Sequence, residues 1–265
     1  MAKIGIIGGS GFYSLFEDAK ELKLSTKWGD PSSPITTGEI EGKEVSFLPR
    51  HGKTHGFAPH MLPYRANIDA LSQSGVRRII SPCACGSLQA DVAPGDFVIA
   101  DQIIDRTKNR PDTFYDEGKT VHVSLADPYC PEMRKIAIES CEACGINYHP
   151  KGTVVVINGP RFSTRAESRW FSGNGWEVIN MTQYPEAALA RERDICFLNI
   201  SLITDYDAGL EGNPEIKPVT ASDVGKIFAE NNEKLKTLLA EIVKNLPEEQ
   251  SDACICSKAT EQAGM

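Results

Sequence analysis

The sequence predicts an α/β fold: a single domain with a twisted, mixed central β-sheet flanked by helices. Three observations carry this expectation. Short apolar runs with strand character, such as Lys3–Ile7, Thr153–Ile157 and Cys196–Ile203, recur along the chain. Segments with a helical apolar repeat fall between them. No internal repeat and no Pro/Gly/Ser-rich linker divides the 265 residues, so one core can serve the whole chain.

The elements follow in order. Lys3–Ile7 reads as a buried strand closed by Gly8-Gly9-Ser10-Gly11. Ile35–Ile40 and Glu44–Leu48 flank Glu41-Gly42-Lys43, which reads as a hairpin turn. Asn67–Leu71 sits in a short helical stretch. Arg78–Ser81, Phe97–Ala100, Thr153–Ile157, Glu177–Ile179 and Cys196–Ile203 read as strands, and Pro131–Cys144, Pro185–Arg193 and Ser222–Leu246 as helices. The last helix is the clearest. Val224, Ile227, Phe228, Asn231, Leu235, Leu238, Leu239, Ile242 and Val243 keep one stripe, Thr220 and Asp223 make a capping box, and Pro247 lies past the end. The folded domain is expected over residues 1–246, with 247–265 a polar, loosely ordered tail.

Composition narrows the functional classes. Hydrophobic residues make up 41% and charged residues 24%, as in soluble globular proteins. A net charge of −8 opposes nucleic-acid binding, which draws on phosphate contacts. Apolar runs such as Val154–Ile157 are too short to span a bilayer, and the N-terminus does not read as an export signal, so a cytoplasmic location is expected. The eight cysteines are too sparse for a disulfide scaffold. Cys141 and Cys144 share a helical face with Met133, Ile136, Ala137 and Ser140 and read as small core residues. Cys254 and Cys256 form a CxC in the polar tail and read as exposed free thiols by default, with a redox-active pair as the alternative. Two thiols alone cannot close a tetrahedral zinc site, so no metal is expected.

Six segments carry chemistry. Glycines after the first strand let backbone N–H groups turn toward an anion, and Ser10 adds a hydroxyl. The dinucleotide and Walker patterns both fail there. Arg50-His51-Gly52 places a planar fork of donors beside an imidazole, a pairing suited to a phosphate dianion. His55 and His60 follow closely and read as structural or surface histidines. Ala84-Cys85-Gly86-Ser87 reads as a small-residue turn that presents amides. Asn158-Gly159-Pro160-Arg161-Phe162-Ser163 ends a strand, with Phe162 able either to stack on a flat base or to pack in the core. Asn180-Met181-Thr182 precedes Pro185-Glu186. Finally, the apolar strand Cys196–Ile203 runs into Asp205 and Asp207, two residues apart. On extended backbone they point the same way and repel, which raises one pKa.

Taken together these blocks carry a resemblance. IGIIGGSG, LPRHG, YRANI, ACGSL, PGDFVI, DQIIDRT, DPYCPE, GPRFSTRAE, INMT, PEAALARE and TDYD occur in this order between Lys3 and Leu246. The series resembles the methylthioadenosine phosphorylase branch of the trimeric purine nucleoside phosphorylases. The resemblance implies phosphate-dependent cleavage of the N-glycosidic bond of 5'-methylthioadenosine, giving adenine and 5-methylthioribose-1-phosphate. The alternative is a broader phosphorylase acting on adenosine, inosine or guanosine. It implies a phosphate site of Ser10, Arg50, His51, the Cys83–Ala84 backbone and Thr182. Met181 would lie under the ribose, Phe162 and Ser163 would flank the purine, Asp205 would face N7 and Asp207 the exocyclic amine. The 5'-substituent would meet Ala221, Val224 and Gly225, with His122 reaching it from a neighbouring subunit. Asp205 and Asp207 would be the catalytic residues. Inorganic phosphate would be a co-substrate with no cofactor, and the assembly a homotrimer or a dimer of trimers. Ala221 and Gly225 are smaller than the residues usual at the 5' pocket, and Cys83 replaces a hydroxyl or amide residue. A nucleotide-binding regulatory module would not need the acidic pair, and a nucleoside hydrolase would not need Arg50-His51.

Overall fold

The computed structural model describes residues 3–9, 16, 19–210, 215–261 and 263–264. Its strands are β1 (Ile4–Gly8), β2 (Lys20–Leu22), β3 (Ile35–Ile40), β4 (Lys43–Pro49), β5 (Arg78–Ser87), β6 (Phe97–Val98), β7 (Gln102–Arg106), β8 (Tyr148–His149), β9 (Thr153–Ile157), β10 (Val178–Asn180) and β11 (Cys196–Asp205). The helices are α1 (Tyr64–Gln73), α2 (Pro131–Cys144), α3 (Arg165–Gly173), α4 (Gln183–Arg191) and α5 (Ala221–Asn245). The strands form one mixed sheet in the order β2-β3-β4-β1-β5-β10-β9-β7, with β11 on β5 and β6, and β8 on β6. The expected single α/β domain is thus the one observed.

Alternation along β1 explains the layers. Ile4 and Ile6 join a core with Met133, Ala137 and Cys141 of α2 and Leu235, Leu238, Leu239, Ile242 and Val243 of α5. Ile7 joins another core with Ile68 and Leu71 of α1 and Ala187, Leu189 and Ala190 of α4. Two faces of one sheet therefore each bury a helix pair. Each fully buried aliphatic side chain contributes roughly 1.5–3 kcal/mol.

Local chemistry sets the helix ends. α2 starts with Pro131 in its first turn and stops at Gly145, which takes φ +63°. Thr220 and Asp223 form both halves of the capping box at the start of α5. At its other end, Lys43 Nζ donates to the carbonyls of Val243, Lys244 and Leu246 at 3.0, 2.7 and 2.6 Å. A cation there suits the negative end of the helix.

The strands β4, β1, β5 and β11 run parallel, so their carboxyl ends gather along one edge. Several features differ from the sequence expectations, the short strands β2 and β8 among them. β5 does not turn at Ala84-Cys85-Gly86-Ser87 but continues through it, because β11 pairs alongside and β10 takes up its last residues. β7 and α3 were not expected. β7 is a partly exposed strand whose Gln102 and Arg106 hide the apolar pattern, and α3 opens with a Thr164–Glu167 capping box.

The tail also corrects an expectation. Cys254 and Cys256 are buried, not exposed. Thr260 is tied to Asp194 through its N–H and its hydroxyl, at 2.8 and 2.6 Å. Gln250 reaches the Arg77 carbonyl at 3.3 Å. The strand β11 and the N-terminus of α2 supply the apolar floor that a polar tail lacks by itself. Among the described residues no helix is long and apolar enough to cross a membrane.

Candidate active site

The gathered strand ends open into a cavity of about 590 Å³. Gly9 after β1, Pro82–Gly86 of β5, Asn180–Thr182 between β10 and α4, and Thr204 and Asp205 of β11 form its floor. The first turns of α5 close it through Ala221, Val224, Gly225 and Phe228. Pockets at the carboxyl ends of parallel strands are the general rule for such sheets.

A bulge places Asp205. Ile203 pairs with Cys85 and Asp205 with Gly86, so Thr204 is the extra residue. Such a bulge re-aims the next side chain, and Asp205 lines the cavity. Gly86 opposite it must be glycine: a Cβ there would sit 2.9 Å from Asp205 Oδ1 and 3.0 Å from Ile179 Cγ2. Asp205 Oδ2 accepts from the Thr204 hydroxyl at 2.7 Å, and Oδ1 from the Asp207 N–H at 2.8 Å. Burial nevertheless lifts its carboxyl to about 6, the nearby Asp207 charge adding a smaller push. A group that holds a proton near neutral pH can hand it to a ligand.

Asp207 does not share an extended segment with Asp205, as the sequence suggested. It takes φ +46°, so the chain turns back and its N–H meets the Asp205 carboxylate. Burial is the chief cause that raises Asp207 as well. Desolvation, more than mutual repulsion, therefore lifts both acids. Asp207 Oδ2 and the Ser163 hydroxyl are buried without a hydrogen-bond partner among the described residues. An unpaired acceptor beside a cavity is suited to a ligand donor.

The other end of the cavity carries the cationic and amide groups. Arg50 follows β4, and its backbone N–H bonds the Gly8 carbonyl at 2.8 Å. Its guanidinium is buried, held by Glu186 at 2.6 and 3.0 Å and by the Ser81 hydroxyl at 2.6 Å. It still borders the cavity. His51 faces the Phe57 carbonyl with Nδ1 at 2.8 Å, so that nitrogen holds the proton and Nε2 keeps a lone pair. Burial first, then the Arg50 charge, lowers its pKa to about 4, so it is neutral at pH 7. Thr182 and Ala84 line the same end. Cys83 also lines it, with its Sγ accepting from Gln183 Nε2 at 3.1 Å. Ser10 lies outside the described residues, and the neighbouring Gly9 lines the cavity.

Met181 and Phe162 also line the cavity, and Phe162 is 38% exposed rather than packed in the core. Gly159, at φ +62°, lets Met181 approach: a Cβ there would lie 2.6 Å from its Sδ. Ala221, Val224 and Gly225 line the α5 side. His122 does not line the cavity of its own chain. Its N–H instead donates to the Ala263 carbonyl at 2.7 Å.

Sequence reasoning missed some lining residues. His55, read as structural, stacks on His51 with ring centroids 4.5 Å apart and lines the cavity, whereas His60 does not. Phe228, Ala229 and Asn232 continue the α5 face one turn deeper. Their helical spacing from Ala221 and Val224 was the available signal. The Glu186 partner of Arg50 gave none, because 136 positions separate the two.

The family model described as "Phosphorylase superfamily" matches residues 3–244. The chain belongs to the phosphorylase superfamily. This superfamily member is 52% identical over 263 residues to an S-methyl-5'-thioadenosine phosphorylase of Thermofilum pendens, across 98% of both chains. Its fold matches the crystal structure of a methylthioadenosine phosphorylase from an antarctic soil metagenomic library with a TM-score of 0.92 at 41% identity, covering 100% of this chain and 92% of that one. It also matches a methylthioadenosine phosphorylase from Schistosoma mansoni in complex with adenine, with a TM-score of 0.89 at 34% identity over 94% and 93% of the two chains.

Proposed function

We propose that this phosphorylase cleaves 5'-methylthioadenosine with inorganic phosphate to adenine and 5-methylthioribose-1-phosphate. The observation that carries the reading is the buried Asp205 carboxyl, lifted to about 6, at one end of a cavity whose other end holds Arg50 and His51. The cavity, at about 590 Å³, is of the size that takes a nucleoside-sized ligand. The superfamily match and the 52% identical phosphorylase support it.

The chemistry follows from the residue types. The C1'–N9 bond breaks with its electron pair passing to the purine. Asp205 gives a proton to N7 and so neutralises the developing charge. A phosphate oxygen forms the new C1'–O bond, and the proton shed by hydrogen phosphate makes up for the one placed on the base. Arg50, His51, Ala84, Thr182, Cys83 and Ser10 hold the phosphate, with neutral His51 accepting from its hydroxyl. Asp207 Oδ2 accepts from the 6-amino group. Phe162 and Ser163 flank the base and Met181 underlies the ribose. Ala221, Val224 and Gly225 offer an apolar wall for the methylthio group.

The reaction draws on the two substrates and protein groups, with no organic cofactor. The enzyme works in the cytoplasm as a homotrimer in which His122 reaches a neighbour's 5' pocket. Adenine release from methylthioadenosine, followed with and without phosphate, tests the activity. Equal rates in phosphate-free buffer would refute it, and a monomeric mass by light scattering would refute the trimer.

A further inference from the structure

Four cysteines from three parts of the chain meet on the face of the sheet opposite α1 and α4. Cys130 is the N-cap residue of α2, Cys196 opens β11, and Cys254 and Cys256 come from the tail. All four are at most 4% exposed. Their sulfurs lie within 4.8 Å of one another, and Cys196 Sγ and Cys254 Sγ are 3.3 Å apart. We propose that Cys130, Cys196, Cys254 and Cys256 bind one zinc ion in a tetrahedral, structural site that locks the C-terminal tail to the fold.

The geometry separates this cluster from ordinary thiol packing. Zinc bound by four sulfurs at about 2.3 Å places neighbouring sulfurs roughly 3.8 Å apart, so every pair is close. Four sulfurs mutually within 4.8 Å meet that condition. Cys83 and Cys85 are also buried, but their neighbours are hydroxyl, amide and carbonyl groups rather than a third or fourth thiol. Closed four-thiolate sets are the donor set of structural zinc, since soft sulfur selects such ions and no position is left open for substrate. Binding would send four thiol protons to solvent and change no oxidation state.

The surroundings supply what thiolate ligands need. Gln250 Nε2 donates to Cys196 Sγ at 3.0 Å, and such outer hydrogen bonds orient metal ligands. The Cys130 N–H donates to the Phe197 carbonyl at 2.8 Å, tying two of the ligand-bearing segments together by backbone. The consequence runs beyond the cluster. Past Cys256 the tail reaches Ala263, whose carbonyl accepts from His122 N–H at 2.7 Å, and Gly264 bridges Val121. The ion would thus anchor the strap that holds the His122 loop in place.

Metal analysis of the whole chain, prepared under a phosphine reductant without chelator, tests the proposal. About one zinc per chain is expected, with less than about a tenth remaining in a Cys254→Ser/Cys256→Ser variant. Cobalt exchanged into the wild-type chain should give the intense sulfur-to-metal charge-transfer band and the visible bands of a tetrahedral thiolate site. The cobalt spectrum keeps the test valid even where the double variant folds poorly. A metal-free wild-type chain overturns the proposal. Thiol titration after unfolding then tells whether the four sulfurs are free or joined as two disulfides.

Discussion

Glu186 holds the guanidinium of Arg50 with both carboxylate oxygens, and the two side chains are 1% and 2% exposed. A buried cation on a cavity wall thus carries its own counter-charge when the cavity holds no anion. Removing one partner of such a pair strands the other without water.

Glu186→Gln is therefore expected to destabilise the protein by about 3–5 kcal/mol in phosphate-free buffer. Urea unfolding measures this. Phosphate should recover part of the loss, because a bound dianion becomes the partner of Arg50. The phosphate-induced rise in Tm should be larger for the variant than for the wild type, and an equal or smaller rise would contradict the arrangement.

Asp205 makes stability depend on pH. Its folded pKa is about 6, raised from 3.8, so the folded state holds the proton more tightly than the unfolded chain. The associated stabilisation is complete below 3.8 and is lost as pH rises through about 6. Asp205→Asn should remove this slope. Denaturation between pH 4 and 7.5 should show the wild type losing more stability than the variant, while kcat falls more than KM rises in the variant. Parallel curves for the two proteins would show that the carboxyl is not perturbed.

Under the proposed function Asp207 faces the base edge. Its unpaired Oδ2 would accept from an exocyclic amine but oppose the oxygen of a 6-oxopurine. An unpaired buried polar group costs about 1–3 kcal/mol, so kcat/KM for methylthioadenosine should exceed that for inosine by roughly ten- to hundredfold. Asp207→Asn should narrow the ratio, since an amide can donate to the oxygen. A ratio unmoved by the substitution would assign selectivity elsewhere.

Gly225 lies inside α5, where a Cβ would meet nothing within 4 Å. Gly225→Ala should stabilise the protein by about 0.5–1 kcal/mol through helix propensity. It should also narrow the 5' wall, lowering kcat/KM for 5'-methylthio substrates less than for those with longer 5'-alkylthio chains. Calorimetry and a substrate series report the two effects separately.

Much of this was legible from residue order. A proline at its start and a glycine after its end punctuate α2 over Pro131–Cys144, its observed span. Asp205 was legible because an apolar strand ran into it. What escaped was long-range or conformational. The turn at Asp207 depends on a left-handed residue that no pattern announces. β5 was cut short because its Ala-Cys-Gly-Ser end reads as a turn until β10 and β11 are laid against it. The tail cysteines looked exposed because their apolar neighbours, Cys130 and Cys196, stand far earlier in the chain.

The helix α5 is deeply buried toward one end only. Its buried residues run from Asn231 to Val243, and Lys43 clasps the final carbonyls, whereas Ala221, Val224, Gly225, Phe228 and Ala229 line the cavity and are not buried. It behaves as a cantilever: the root carries the load of the fold, and the tip borders the cavity. Substitutions at the tip can then retune what sits against it without weakening the foundation. Under the proposed function, new 5'-substituent preferences can arise at this tip one residue at a time, at little cost to folding.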